Sequence, residues 1–198
     1  MKKETIKESI LNPVSMFIIG LLTGFLIKEI DIHLYAQHFG ISLANIFSEA
    51  GVWVVIGVSI SLFSRDRKYA MLNVFTYCIG MIITYYLTAE LTGSVYGWGY
   101  IKMWTLFACF SPVMAYLVIL TKRKGILAFV IKAGIFIGYI SINLLLGSFI
   151  KIYDIVFIGI LIYLLFIKNI RRFNLYGKTR EFKEDIIYTE IACDRYSF

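Results

Sequence analysis

Six apolar stretches separated by short polar breaks dominate the pattern of hydrophobic and polar positions along this chain. About 20 apolar residues in a helix are needed to cross about 30 Å of hydrocarbon, and most of the stretches reach or approach that length. The pattern therefore predicts an all-α membrane bundle with six transmembrane helices. The predicted spans are 11–27, 46–63, 69–87, 103–120, 126–147 and 152–167.

The last two stretches are separated only by residues 148–151. A re-entrant hairpin is the alternative to two full crossings there, and the charged residues that flank the pair favour the crossings. The final stretch is short, so its crossing requires a locally thinner bilayer or flanking side chains that reach the interface.

Lysine and arginine fall mainly on alternate breaks, and this distribution predicts the orientation because these residues resist translocation. They cluster in 2–7, in 65–68, in 122–124 and in the tail after 167. The opposite breaks carry only Lys28, Lys102 and Lys151. Both termini are therefore predicted to be cytoplasmic, in a multi-pass protein of the plasma membrane.

Composition agrees with this assignment, since 59% of the 198 residues are hydrophobic and 17% are charged. The net charge of +7 is then an orientation signal, because nucleic-acid binding would need cations gathered on one soluble face. No linker or soluble block interrupts the spans. The predicted organisation is one membrane domain, 1–167, followed by a cytoplasmic tail, 168–198.

Polar residues within the spans are the first candidates for function, because burying them in hydrocarbon is costly unless they pair or face a cavity. Glu49, Glu90 and Asp154 lie near the outer ends of the second, third and sixth spans. Three carboxylates at one level would rim an outward-facing site. The alternative is that each marks a helix end in the headgroup zone. Glu49 is the deepest of the three, and Trp53 follows it one turn later.

The two longer outer connections are candidates for lids. Residues 28–45 are predicted to lie on the outer leaflet as an amphipathic segment. Residues 88–102 interleave glycines with Tyr96, Trp98 and Tyr100, which is typical of an interfacial aromatic belt; the alternative is an aromatic cover over a ligand that enters from outside. The candidate ligand-binding residues are thus Glu49, Trp53, Glu90, Tyr96, Trp98, Tyr100 and Asp154.

Small residues four positions apart predict close helix packing. Gly20 and Gly24 form one such pair, and Gly134 and Gly138 form another. Small residues at this spacing let two helices approach closely. Packing within the bundle is the first interpretation of both pairs, and dimerisation is the alternative.

Four further residues have structural interpretations. Asn73 and Asn143 are predicted to make hydrogen bonds between helices rather than to bind a ligand. Pro112 lacks a backbone donor and should leave one helical carbonyl free. Lys132, in the inner third of its span, is expected to extend its ammonium group to the interface.

Enzyme motifs are missing from the sequence: it contains no H-E-x-x-H, no G-x-S-x-G and no paired cysteine ligands. We therefore predict no enzyme, no catalytic residue, no cofactor and no metal site. The predicted partners are the lipid bilayer, a small solute, and a membrane protein partner or a second copy of the chain. Nucleic acid is not among them.

Several segments carry a resemblance to known proteins: GLLTGFLI in the first span, AGVWVVIGVSISLFSR in the second, ITYYLTAEL closing the third and WTLFACFSPVMAYLVILTKRKG in the fourth. Over about residues 13–139 the chain resembles uncharacterised six-helix bacterial membrane proteins that share a domain of unknown function. The resemblance implies a helical bundle in the plasma membrane and supplies no activity.

The chain is also similar to the substrate-capture subunits of energy-coupling-factor vitamin importers, in its length, its six spans and its connections 28–45 and 88–102. That likeness implies an outward-facing pocket closed by a loop after the first helix. Those subunits typically have small alanines for docking in the first helix, where this chain has Gly20 and Gly24.

The sequence names no solute. The leading prediction is an integral membrane protein that binds or transports a small solute. The alternative is a non-transporting scaffold or regulatory protein that acts through a partner protein.

Overall fold

The computed structural model describes residues 11–33, 46–47, 50–94, 97–123, 125–147 and 152–167. These ranges are helical apart from turns, and no strand occurs within them. The helices are α1 (Pro13–His33), α2 (Ala50–Phe63), α3 (Arg67–Leu91), α4 (Trp98–Leu120), α5 (Ile126–Gly147) and α6 (Ile152–Ile162), and a π-helical segment (Tyr163–Ile167) follows α6.

Four of these helices, α1, α3, α4 and α5, are long and apolar enough to cross a membrane. Two shorter apolar helical stretches, Gly51–Phe63 and Tyr153–Phe166, fall below that length. The prediction of an all-helical chain with membrane-crossing helices is confirmed at this level. Six crossings and two cytoplasmic termini stay predictions.

Two compact units divide the chain, 1–161 and 162–198. The first contains α1 to α5 and almost all of α6, and the second begins at the last residue of α6. The predicted tail, 168–198, lies outside the residues that the structure describes. The site described below belongs entirely to the first unit.

Helix α3 occupies the centre of the first unit, where it packs against α1, α2 and α4. One cluster of buried side chains joins these four helices, and its members are Met16, Ile60, Val74, Tyr77 and Ala115. Helix α5 packs against α2 and α4.

Helix α1 begins at a well-formed cap and extends further than the sequence predicted. The Asn12 side chain accepts a hydrogen bond from the Ser15 N–H at 2.9 Å, and Pro13 occupies the first helical position, where no N–H is needed. At the other end the helix passes the predicted boundary at residue 27 and continues to His33.

One ion pair and one further side-chain contact explain this extension of α1. Lys28 Nζ lies 2.9 Å from Asp31, three positions later, and Glu29 lies 3.3 Å from His33, four positions later. Pairs at these spacings favour the helix. The predicted connection 28–45 was therefore placed too early, and its remainder, 34–45, lies outside the described residues.

Gly20 and Gly24 form the contact between α1 and α3. A Cβ atom on Gly20 would lie 3.1 Å from the Cα of Tyr77, and one on Gly24 would meet the backbone of Met81. The Thr84 hydroxyl reinforces the contact by donating to the carbonyl oxygen of Leu21 at 2.7 Å. The predicted helix packing is confirmed for this pair of glycines.

Gly134 and Gly138 behave differently. A Cβ atom on either glycine would meet no atom of the described residues within 4 Å, and Gly134 is exposed. The prediction that this pair packs within the bundle is wrong for the part of the chain that the structure covers.

Helix α3 ends in a Schellman motif. Gly93 has a φ of 63°, which glycine adopts without steric cost. Its N–H donates to the Glu90 carbonyl at 3.2 Å, and the Ser94 N–H donates to the Ala89 carbonyl at 3.0 Å. These bonds satisfy carbonyl groups that the end of a helix leaves open.

The connection between α3 and α4 is consequently shorter than predicted. It comprises residues 92–97, whereas the sequence predicted 88–102. Trp98 and Tyr100 lie in the first turn of α4 instead of in a loop. The prediction that these two residues lie in a connecting loop is therefore wrong, and an aromatic cover over a ligand stays a prediction.

Asn73 of α3 links the start of α1 to the end of α2. Both of these ends are predicted to lie on the inner side of the membrane. Its amide nitrogen donates to the Leu11 carbonyl at 3.0 Å and to the Ser64 hydroxyl oxygen at 3.1 Å. Lys122 donates to the backbone carbonyl of Ser64 at 3.3 Å. The prediction that Asn73 makes hydrogen bonds between helices is confirmed.

Pro112 lies inside α4, so position 112 supplies no N–H to the carbonyl of Ala108, four positions earlier. The Ser111 hydroxyl donates to this carbonyl at 2.7 Å. The group that the proline leaves free is thus satisfied by the adjacent side chain.

Candidate functional site

One face of α5 carries polar side chains toward the interior of the bundle. Lys132, Tyr139 and Asn143 are separated by seven and four positions, which places them on one side of a helix. Tyr139 and Asn143 are buried, and Lys132 is half-buried. We call these three residues the α5 stripe.

The other face of α5 is apolar and exposed, as at Val130 and Ile137. In an amphipathic helix of a soluble protein the apolar side chains are buried and the polar ones are exposed, whereas α5 shows the reverse. This arrangement is typical of a membrane helix whose polar residues face the interior of a bundle.

Tyr139 joins the α5 stripe to a buried carboxylate on α6. Its hydroxyl donates to Asp154 Oδ1 at 2.9 Å, and both residues are only 2% exposed. Asp154 lies in the first turn of α6, where the helix dipole favours negative charge. The hydrogen bond therefore joins α5 to the first turn of α6.

Gly51 brings α2 to the same point. A Cβ atom on Gly51 would lie 2.8 Å from the Tyr139 hydroxyl oxygen, so only glycine accommodates the tyrosine at its present position. Three helices, α2, α5 and α6, thus meet at the Tyr139 hydroxyl.

The position of Tyr139 along α5 indicates the depth of this contact. Tyr139 precedes the last helical residue, Gly147, by eight positions, which corresponds to about 12 Å of helix. Through the tyrosine side chain, Asp154 in the first turn of α6 is hydrogen-bonded to this turn of α5. The alternative that Asp154 marks a helix end in the headgroup zone stays open.

Asn143 follows Tyr139 by one helical turn and is 5% exposed. Its amide nitrogen has no hydrogen-bond partner among the described residues, so the predicted bond between helices is not made by this nitrogen there. Leaving a buried donor unsatisfied costs about 1–3 kcal/mol. Helical side chains lean toward the N-terminus of their helix, which directs the amide toward the turn that carries Tyr139.

Trp53 packs between α2 and α4. Its indole N–H donates to the Phe47 carbonyl at 3.0 Å, and its ring meets that of Trp104 edge to face, with 6.4 Å between the centroids. Trp53 is two positions from Gly51 and therefore points away from α5. The indole N–H is already hydrogen-bonded within the protein, so Trp53 stabilises the contact between α2 and α4 beside the site.

Glu90 is exposed near the end of α3, whereas Asp154 is buried. These two carboxylates therefore occupy different environments, and the predicted rim of three carboxylates stays a prediction. Trp98 and Tyr100 are largely exposed at the start of α4, as expected for an interfacial belt. The predicted contributions of Glu49 and Tyr96 fall outside the described residues.

Sequence reasoning missed two residues that the structure places in buried polar contacts. One is Tyr139, whose spacing from Lys132 and Asn143 was the available signal. The other is Lys28, which was predicted to be an outer boundary cation and is buried. Its Nζ pairs with Asp31 and lies 4.9 Å from the ring centroid of Tyr85.

Lys28 and its partners tie α1 to α3. The Tyr85 hydroxyl donates to the same Asp31 oxygen at 3.1 Å. These contacts engage all three side chains and give the group a structural role. Within the described ranges no group of three or more His, Cys, Asp or Glu side chains is arranged to hold a metal ion.

Comparison with known proteins adds no assignment: no protein-family model, no curated protein and no solved structure matches the chain. The function is therefore argued from the α5 stripe, Gly51 and Asp154.

Proposed function

We propose that this chain is a multi-pass plasma-membrane protein that binds or transports a small polar solute. The single observation that carries the proposal is the hydrogen bond between Tyr139 and Asp154 at 2.9 Å, made where both side chains are buried among apolar helices. An ionisable residue inside a membrane bundle is expensive and usually marks a substrate or ion pathway.

The length of the α5 stripe supports a pathway as well as a single site. Lys132 and Asn143 are eleven positions apart, which corresponds to about 16 Å along the helix axis. Hydrocarbon is about 30 Å thick. Polar groups on one inward face of α5 would thus accompany a solute over about half of that distance.

Energy-coupling-factor capture subunits dock to an energising module. If this protein did the same, it would have to use a face other than the one that carries Gly20 and Gly24. Gly20 and Gly24, which stand where those subunits typically carry docking alanines, are covered by α3. They are not accessible to an energising module while α1 and α3 remain packed. We propose solute capture without assigning this mode of energy coupling.

Native mass spectrometry of the full chain, purified gently from its own membranes, tests the proposal. A discrete small molecule should accompany the wild type and be lost or strongly reduced in Asp154→Asn. Asp66→Asn is the matched control, because Asp66 is an exposed carboxylate in the turn between α2 and α3. That variant should retain the small molecule.

A second readout is uptake into proteoliposomes of the molecule that is identified. A bare wild-type protein, or retention of the molecule by Asp154→Asn at the wild-type level, would contradict the proposed site. A protein that carries only a protein partner would instead favour the scaffold function.

A further inference from the structure

We infer that the solute is a small primary ammonium compound that carries an acceptor oxygen three bonds from its nitrogen. This inference rests on the proposed function and concerns the same site. It is drawn from the different chemistry of two buried groups, the Asp154 carboxylate and the Asn143 amide.

The sign of the solute charge follows from Asp154. Its carboxylate is 2% exposed and is positioned by the hydroxyl of Tyr139. At low local dielectric, a second negative charge beside it would be strongly repelled and a positive one strongly attracted. A primary ammonium group also supplies the N–H donors that carboxylate oxygens accept.

The requirement for an acceptor follows from Asn143. Its amide nitrogen is a buried donor without a partner among the described residues. A hydroxyl or carbonyl oxygen on the solute would satisfy this donor. A solute without such an oxygen would leave the desolvation cost of the amide in place.

The spacing along α5 favours a compact molecule. Asn143 and Tyr139 are one turn apart, and side chains at this spacing are about 5–6 Å apart at their Cβ atoms. Lys132 lies two turns from Tyr139 in the opposite direction, about 10 Å along the axis. The ammonium and acceptor groups of a small solute therefore match the Asp154 and Asn143 end of the α5 stripe.

Three probes of similar size separate the two requirements. Ethanolamine carries both groups, propylamine lacks the acceptor oxygen, and ethylene glycol lacks the ammonium group. Binding of each probe to the full-length protein in lipid nanodiscs is measured by equilibrium dialysis. Ethanolamine should bind about tenfold more tightly than either of the other two.

Two variants assign each preference to its residue. Asn143→Leu should lower ethanolamine affinity to that of propylamine and leave propylamine unchanged. Asp154→Asn should abolish the difference between ethanolamine and ethylene glycol. Asn143→Gln keeps a donor and should retain part of the preference for ethanolamine, while Asp66→Asn should bind all three probes as the wild type does.

The wild-type comparison is decisive even if a variant fails to fold, which size-exclusion chromatography would reveal. Equal affinities for the three probes, no binding of any of them, or tighter binding of the anion glycolate would overturn the inference. The proposed function would survive if a solute of another class co-purified and was lost in Asp154→Asn. It would fail if neither approach detected any solute.

Discussion

The hydroxyl of Tyr139 donates a hydrogen bond to the Asp154 carboxylate across 2.9 Å and so joins α5 to α6. Both side chains are almost completely buried, so the bond is shielded from water and from screening by salt. A hydrogen bond to a charged group in such surroundings contributes more than one between neutral groups.

Tyr139→Phe should lower the free energy of unfolding by about 1.5–3 kcal/mol, because Asp154 loses a donor and the ring volume is conserved. Unfolding of the purified protein in mixed micelles measures the change. Tyr100→Phe is the control, since Tyr100 is exposed and its change should stay within about 0.5 kcal/mol. Equal losses in the two variants would show that the buried bond contributes nothing.

Gly51→Ala should destabilise the protein by about 1–3 kcal/mol, because the new Cβ would lie 2.8 Å from the Tyr139 hydroxyl oxygen and force the ring to move. Gly57→Ala is the control on the same helix, where the Cβ would lie 3.9 Å from a methyl group of Val74. Both substitutions gain similar helix propensity. A Gly51→Ala protein as stable as the Gly57→Ala protein would contradict the packing described here.

Gly20→Ala should separate α1 from α3 and lower stability by at least about 2 kcal/mol, because its Cβ would meet the backbone of Tyr77, which cannot rotate away. Gly134→Ala should be neutral or slightly stabilising, since its Cβ would meet no described atom within 4 Å. Melting temperatures in detergent compare the two. The reverse order of stability would place the tight helix contact on α5.

Ser111→Ala should cost about 1 kcal/mol, because the Ala108 carbonyl loses its donor. Pro112→Ala restores a backbone N–H to that carbonyl, so Ser111→Ala should cost less in a Pro112→Ala background. A double-mutant cycle on unfolding free energies measures the coupling. Strict additivity would mean that the hydroxyl does not replace the missing backbone donor.

Cysteine labelling of intact cells tests the predicted orientation. In a chain whose three native cysteines are replaced by alanine, Asp66→Cys should react with a membrane-impermeant maleimide only after the cells are opened. Thr92→Cys should react in intact cells, because Thr92 is exposed in a turn that is predicted to lie outside. Labelling of Asp66→Cys from outside would invert the topology.

The middles of the helices were predictable, and several helix ends were not. The predicted span 126–147 coincides with α5, because hydropathy varies sharply at both of its ends. Helix α1 passes its predicted end, because Lys28 and Asp31 stabilise one another at helical spacing. Trp98 and Tyr100 were assigned to a loop because aromatic residues interleaved with glycine are ambiguous between a turn and an interfacial helix start.

The candidate site was only partly predictable. Asp154 was identified from its charge within an apolar stretch, and Glu90 was selected by the same reasoning although it is exposed. Tyr139 was not selected because, apart from its spacing from Lys132 and Asn143, nothing in the sequence distinguishes it from the other tyrosines of the spans. Its partnership with Asp154 depends on which helices are neighbours, and hydropathy does not contain that information.

The sequence by itself determined that the chain is helical and that it contains helices able to cross a membrane, because both properties follow from local hydropathy and length. Only the tertiary structure decided that Gly20 and Gly24 lie in a tight contact while Gly134 and Gly138 meet no neighbour among the described residues. The tertiary structure alone also places the Tyr139 hydroxyl against Asp154 and Gly51. The physical reason is that a pair of glycines four positions apart stabilises a helix contact only where a neighbouring helix covers that face. Local sequence does not say which face is covered.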